Sequence, residues 1–295
     1  MPQETPQADI AVSHDLIHAL LREFVPELAD EPLEFHASGW DNEIHRVGEH
    51  HAVRLPRRTE AAVLIENEQR WLPEIAPKLP LPIPTPTHAG QPAFGFHWHW
   101  NVVPWLVGVP LAHAPTLDTD QLIDDLAEFL NALHVPAPDD APVNQFRGVP
   151  LTDRADKFIE NVNLLEAEDR DAVLCLWEEL SDTPPWGGEA IWLHGDLHGL
   201  NMLVRGGRLS AVIDWGDITA GDPACDFAIA WMLFDEDARG RFRQALKIDG
   251  KSIGVHTWTR ARVWAISVAT AMLAHSDDNP ALRRVARETL DRVFA

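Results

Sequence analysis

The chain has 295 residues, with 24 Lys and Arg against 46 Asp and Glu, and so a formal charge of −22. A surface this acidic is a poor match for nucleic acid or anionic membranes, both of which require basic patches. At 45% hydrophobic and 24% charged residues, the composition is that of a globular rather than a disordered chain, long enough for one large domain or two lobes.

Met1 to Ile10 is polar and acidic, with no basic stretch leading into an apolar core, so no signal peptide is expected. Ser13 to Phe24 opens on a capping residue and sets Leu16, Ile17, Leu20, Leu21 and Phe24 on one helical face. Three β-like runs follow, Leu33 to Ala37, Ile44 to Val47 and His51 to Leu55, the last two joined by a Gly48-Glu49 turn. Glu60 to Ala76 reads as a helix with Ala62, Ile65, Trp71, Leu72 and Ile75 apolar, and Lys78 to Pro86, with four prolines in nine residues, as an extended connector. His97 to Val103 is an aromatic-rich strand.

Beyond residue 104 the pattern turns helical. Asp118 to His134 is amphipathic, and helices are predicted over Asp153 to Leu165, Asp169 to Leu180, Pro223 to Phe234, Ala238 to Leu246, His256 to His275 and Pro280 to Phe294. A β-rich block, Ile191 to Trp215, turning at Gly206-Gly207, interrupts them. The expected division is 1–104 as a β-rich lobe and 105–295 as a helical lobe. The longest apolar stretches, Phe227 to Phe234 and Trp264 to Ala274, fall short of the roughly 20 residues a bilayer requires. Cys175 and Cys225 are expected reduced and buried, in a cytoplasmic chain.

Chemistry concentrates in His194-Gly195-Asp196-Leu197-His198-Gly199-Leu200-Asn201, followed by Ile213-Asp214-Trp215-Gly216. The protein-kinase pattern H-R-D-L-x-x-x-N and then D-F-G has its His, Asp, Leu and Asn in the same register. Phosphoryl transfer explains the spacing: one carboxylate meets the attacking hydroxyl, while an amide oxygen and a second carboxylate hold Mg²⁺ against the phosphates. The hairpin between the two segments is expected to return Asp214 beside Asp196 and Asn201.

Together with Gly221-Asp222-Pro223-Ala224-Cys225-Asp226, the segment resembles the aminoglycoside phosphotransferase family, overlapping with macrolide phosphotransferases and similar in fold to protein kinases. The resemblance implies an α+β, bilobal, protein-kinase-like fold, with 1–104 as a small β-rich, nucleotide-binding N-lobe ending in a hinge and 105–295 as a larger helical C-lobe with the catalytic loop and acceptor site. It implies Asp196 as catalytic base, Asn201 and Asp214 as Mg²⁺ ligands, and Asp226 as a structural acid, with His194 and His198 supporting the loop. The cofactors implied are Mg²⁺ and ATP or GTP, and the acceptor is a hydroxyl of a small molecule, of aminoglycoside or macrolide type. Ser38-Gly39 lies where a phosphate loop belongs but brings one glycine. Arg54 stands where the family more often has lysine, with Glu68 as its expected partner and Glu66 the fallback; the alternative is an ordinary surface pair.

Asp217, Asp235 and Glu236 are candidate contacts for a cationic acceptor, against a solvated helix end in which Asp237 caps the next helix. Trp264, Val268 and Met272 share a helical face that is either core or an acceptor wall. Two rival readings are a pseudokinase-like small-ligand binding protein, favoured by the sparse phosphate loop, and a kinase of a metabolite alcohol. A zinc site at His194-x-Asp196-x-His198 leaves Asn201 and Asp214 unexplained. Nothing in the sequence signals an oligomeric state.

Overall fold

The computed structural model describes residues 6–114 and 117–295, so the polar stretch read for a leader lies partly outside the described residues. The chain divides into two compact units. The first comprises Pro6–Val107 together with Ala211–Gly216, and the second Gly108–Ser210 with Asp217–Ala295. Residues 211–216, which the sequence grouped with the helical lobe, therefore cluster with the N-terminal unit.

The N-terminal unit is an antiparallel sheet of β1 (Leu33–Ser38), β2 (Asn42–Val47), β3 (His51–Pro56), β4 (His88–Gly90) and β5 (Trp100–Pro104), with α1 (His14–Phe24) and α2 (Ala62–Ile75). Its strand order is β1-β2-β3-β5-β4. Ser13 caps α1, its Oγ accepting the Leu16 N–H at 3.2 Å. The apolar face of α1 buries Ile17, Leu20 and Leu21 with Val47, Val53, Leu55, Trp100 and Val102. Each such side chain contributes about 1.5–3 kcal/mol when removed from water. Gly90 is dictated by packing, because a Cβ there would lie 2.1 Å from the Trp100 ring. Strand β5 begins at Trp100, later than the periodicity predicts.

The second unit contains β6 (Val109–Pro110), α3 (Thr119–Leu133), α4 (Leu151–Val162), α5 (Ala167–Leu180), β7 (Ile191–Leu193), β8 (Met202–Arg205), β9 (Arg208–Val212, whose last residues pass to the other unit), β10 (Thr219–Gly221), α6 (Ala224–Phe227), α7 (Ile229–Leu233), α8 (Glu236–Ala245), α9 (Val255–Ala274) and α10 (Pro280–Phe294). Asp118 and Asn279 cap α3 and α10 through their side-chain oxygens. Helix α9 is the axis of the unit, with α4, α5, α6, α7 and α10 all packed on it. Beyond its exposed first turn it is buried on nearly every side, so Trp264, Val268 and Met272 sit in core rather than on an amphipathic face. The helix expected over 223–234 is split: the Ala228 N–H bonds Cys225 O and the Trp231 N–H bonds Ala228 O, tighter turns that separate α6 from α7. Cys225 is buried as expected, but Cys175 is exposed on α5; both are free thiols.

Among the described residues, no helix is long and apolar enough to cross a membrane.

Candidate active site

In the N-terminal unit, β3 and β5 pair so that Arg54 faces Asn101. Both side chains converge on Glu68 of α2. Arg54 Nη1 donates to Glu68 Oε1 and Oε2 at 2.8 Å each, and Asn101 Nδ2 donates to Oε2 at 3.1 Å. This is no surface pair, since Arg54 is 4% and Glu68 0% exposed. Glu66 turns elsewhere, to His99 Nδ1. The second arm of the guanidinium, Nη2, donates to Asp214 Oδ1 at 3.3 Å. Burial opposes the charge on Arg54, but Glu68 and then Asp214 outweigh it and hold the guanidinium firmly protonated. Asp214 has a left-handed backbone at φ 62°, a conformation short polar residues tolerate best. Its carboxylate remains more than half exposed, at 57%.

The Ser38-Gly39 turn belongs to the same unit. The Gly39 N–H bonds Asn42 O, closing a tight hairpin, and Arg57 Nη1 and Arg58 Nε donate to the carbonyls of Gly39 and Trp40.

In the second unit, the loop between β7 and β8 carries Asp196 and Asn201. Asp226, at the start of α6, braces it: its carboxylate accepts the N–H groups of His194 and Gly195, both at 2.9 Å, and meets His134 Nε2 at 3.0 Å. Gly195 has φ 87°, and a Cβ there would strike Asp217 O at 2.3 Å, so this position requires glycine. His194 Nδ1 accepts the Asp196 N–H and His198 Nδ1 accepts the Leu200 N–H, each at 3.2 Å. Asn201 Nδ2 donates to the backbone carbonyl of Asp196 at 2.9 Å, which leaves its own carbonyl oxygen as an outward acceptor. With both histidines occupied in loop turns, the zinc reading loses its ligands. Among the described residues, no group of three His, Cys, Asp or Glu is arranged to hold a metal ion.

Sequence reasoning missed Arg147. Its Nη2 donates to Asp196 Oδ1 at 2.8 Å and its Nε to Asp217 Oδ2 at 3.0 Å. Burial by itself raises the Asp196 carboxyl, but Arg147, followed by His198, more than offsets it and holds the group well below the usual carboxylate range. Asp217 is doubly engaged, since Asn144 Nδ2 takes its other oxygen at 2.7 Å. The loop that supplies Asn144 and Arg147 has no periodicity, and its partners lie 49 and 70 positions away, so no local signal marks it. Asp235, rather than Asp237, caps α8, its Oδ1 accepting the Ala238 N–H at 2.9 Å. Glu236 lies in the first turn of that helix, where a carboxylate complements the helix dipole.

Taken separately, the braced Asp-x₄-Asn loop of one unit and the buried cation–carboxylate pair on the sheet of the other each have the residue types of the protein-kinase pattern. The sequence matches the phosphotransferase enzyme family over residues 32–264, and the chain belongs to that family. The fold is similar to that of APH(2″)-IIIa in complex with GDP and kanamycin, at 18% identity and a TM-score of 0.71, covering 94% of this chain and 97% of that one. It is also similar to the GDP complex of aminoglycoside 2'-phosphotransferase-IIIa (20% identity, TM-score 0.67, 96% and 99% covered). A third similar structure is macrolide 2'-phosphotransferase MphH from Brachybacterium faecium (22%, 0.64, 94% and 98% covered). A segment of 71 residues, 22% of the chain, is 34% identical to the uncharacterized protein YcbJ of Bacillus subtilis, where it spans 23% of that protein's length.

Proposed function

We propose that the chain transfers the γ-phosphate of ATP or GTP to a hydroxyl of a small molecule in a Mg²⁺-dependent reaction. The observation that carries this reading is the Asp196–Asn201 loop. One side chain of the pair is an ionised carboxylate, and the other uses its amide N–H₂ to fix that carboxylate's backbone.

The donor set suits a hard cation. Asn201 keeps a carbonyl oxygen, and Asp214 keeps a half-exposed carboxylate with a single contact at 3.3 Å. Asn201 and Asp214 would hold Mg²⁺, which would neutralise charge on the transferring phosphates. Arg54, oriented by Glu68 and Asn101, contacts the α/β-phosphates as a permanent cation, and the Ser38-Gly39 turn lies over them. Asp196 accepts a hydrogen bond from the acceptor hydroxyl and aims its oxygen at the γ-phosphorus. A carboxylate held so far below its usual range is a weak base, so its work before transfer is orientation, and it receives the proton only as the new P–O bond forms. The bond from the γ-phosphorus to the bridging oxygen breaks and the nucleoside diphosphate leaves with that electron pair. His194, His198 and Asp226 keep the loop in place.

The similar solved structures include complexes with aminoglycosides and a macrolide phosphotransferase, and these support an antibiotic or related alcohol as acceptor. Asp196→Asn should lower transfer by at least about 100-fold while nucleotide affinity stays near normal. Phosphorylation is followed by mass spectrometry across an acceptor panel with Mg²⁺ and either nucleotide. Near-normal turnover in that variant would sink the assignment, and the absence of turnover by the unaltered enzyme with every acceptor would favour the pseudokinase reading.

A further inference from the structure

The second unit contains a cleft of about 400 Å³ that the phosphotransfer chemistry does not use. Val143, Phe146 and Val149 form its apolar wall, and Arg154, Lys157 and Asp153 its charged one. Arg154 is 3% exposed, yet its Nε has no partner and its Nη2 reaches only Ser267 Oγ, at 3.5 Å. Among the described residues, no carboxylate pairs with it. Its guanidinium lies over the rings of Phe146 and Trp264, 5.7 and 5.9 Å from their centroids.

Arg260 of the same unit provides the contrast: just as buried, at 2%, it is held by Asp222 through contacts of 2.6 and 3.1 Å. A buried cation without a carboxylate is costly to the fold, and such groups persist where a ligand completes them. Burial first, and then the charge of Arg147, bring the Arg154 pKa down to about 10, against a smaller opposing effect of Asp217.

The cleft is also close to the base. Phe146, which lines it, is consecutive with Arg147, which bonds Asp196. A polycationic acceptor entering here would meet Arg154 and Lys157 against Asp153, and would find both oxygens of Asp217 already bonded.

We infer that the acceptor is an amphipathic organic anion whose oxyanion group, a carboxylate or phosphate ester, docks on Arg154 while its apolar body lies against Phe146 and Val149 and its hydroxyl meets Asp196. Arginine suits this role because its planar fork matches an oxyanion in two directions. The hydroxyl's fate rests on the phosphotransfer reading above, whereas the anion site does not.

Four probes with one aromatic body and different charge test the site: benzoate, phenyl phosphate, benzamide and benzylamine. Each is titrated into the full chain at constant ionic strength and followed by tryptophan fluorescence and thermal midpoint. At least one anion should bind, the stronger of the two identifying carboxylate or phosphate, with benzamide and benzylamine weaker by about tenfold or more. Arg154→Gln should lose about tenfold in anion affinity, and Arg154→Lys should retain part of it. Arg154→Met, measured without ligand, should raise the thermal midpoint by a few degrees, because it removes an unpaired buried charge. Equal binding of benzylamine, no binding of either anion, unchanged affinity in Arg154→Gln, or a lowered midpoint in Arg154→Met each overturns the proposal. In transfer assays, phosphorylation of kanamycin with normal KM in Arg154→Gln overturns the anion site and leaves phosphotransfer standing. Anion binding with no phosphorylation of any hydroxylated acceptor does the reverse.

Discussion

Arg147 sets the electrostatics of the candidate base. Its guanidinium bridges Asp196 and Asp217, and the strong donor geometry keeps Asp196 ionised at pH values where an ordinary aspartate would be protonated. The sign follows directly. A carboxylate whose pKa is depressed in the folded enzyme loses its charged form only as pH falls through that low value, so the acid limb of activity lies at low pH. Arg147→Gln removes the main stabilising charge, and the acid limb of kcat/KM should then move to higher pH, measured as a full pH–rate profile. An unmoved limb would show that Arg147 does not act through Asp196. The same residues show where local reading fails: Asp196, Asn201 and Asp214 stand out through spacing along the chain, but Asp217 becomes interpretable only when its two partners are seen.

At the level of elements, the Asp196–Asn201 loop is built from short-range geometry that a sequence pattern can carry. Gly195 supplies a left-handed turn and clearance from Asp217 O, Asp226 accepts two loop N–H groups, and Asn201 closes the loop on Asp196. Helix α8 shows the opposite case. Asp235 was weighed as a contact for a cationic acceptor, but its carboxylate caps the helix. Asp235→Ala should cost about 1 kcal/mol of stability, and Asp235→Asn, which keeps the cap, only a few tenths. Urea unfolding measures both, and a KM change in Asp235→Asn without loss of stability would restore the binding role. Strand and helix cores were legible from periodicity, as in α1, α3 and α10. Boundaries were less so: the tight turns at Ala228 fall where α6 and α7 pack on α9, and they leave no mark on the apolar pattern of residues 223–234.

For the whole molecule, the charge of −22 is a source of self-repulsion spread over long distances. Salt screens such repulsion, since the Debye length falls from about 30 Å at 0.01 M to about 3 Å at 1 M. The buried pairs Arg54–Glu68 and Arg260–Asp222 are shielded from that screening. Raising NaCl across this range should therefore raise the thermal midpoint by several degrees in differential scanning fluorimetry. A midpoint that falls would mean that surface attraction outweighs the net charge.

The acidic total is not felt evenly: the cleft lined by Phe146 sets Arg154 and Lys157 against Asp153. By itself the sequence marked the H-x-D…N and I-D-W-G segments, the α+β character and the placing of Arg54 on a strand and Glu68 on a helix, because each rests on spacing along a strand, a loop or a helix turn. Only the tertiary structure decided which charges are neutralised. Arg147 takes Asp196, Asp222 takes Arg260, and among the described residues Arg154 is left without a carboxylate. Partners 38 to 49 positions apart are chosen by packing, and whether a buried charge finds one is a property of the folded interior that no local pattern encodes.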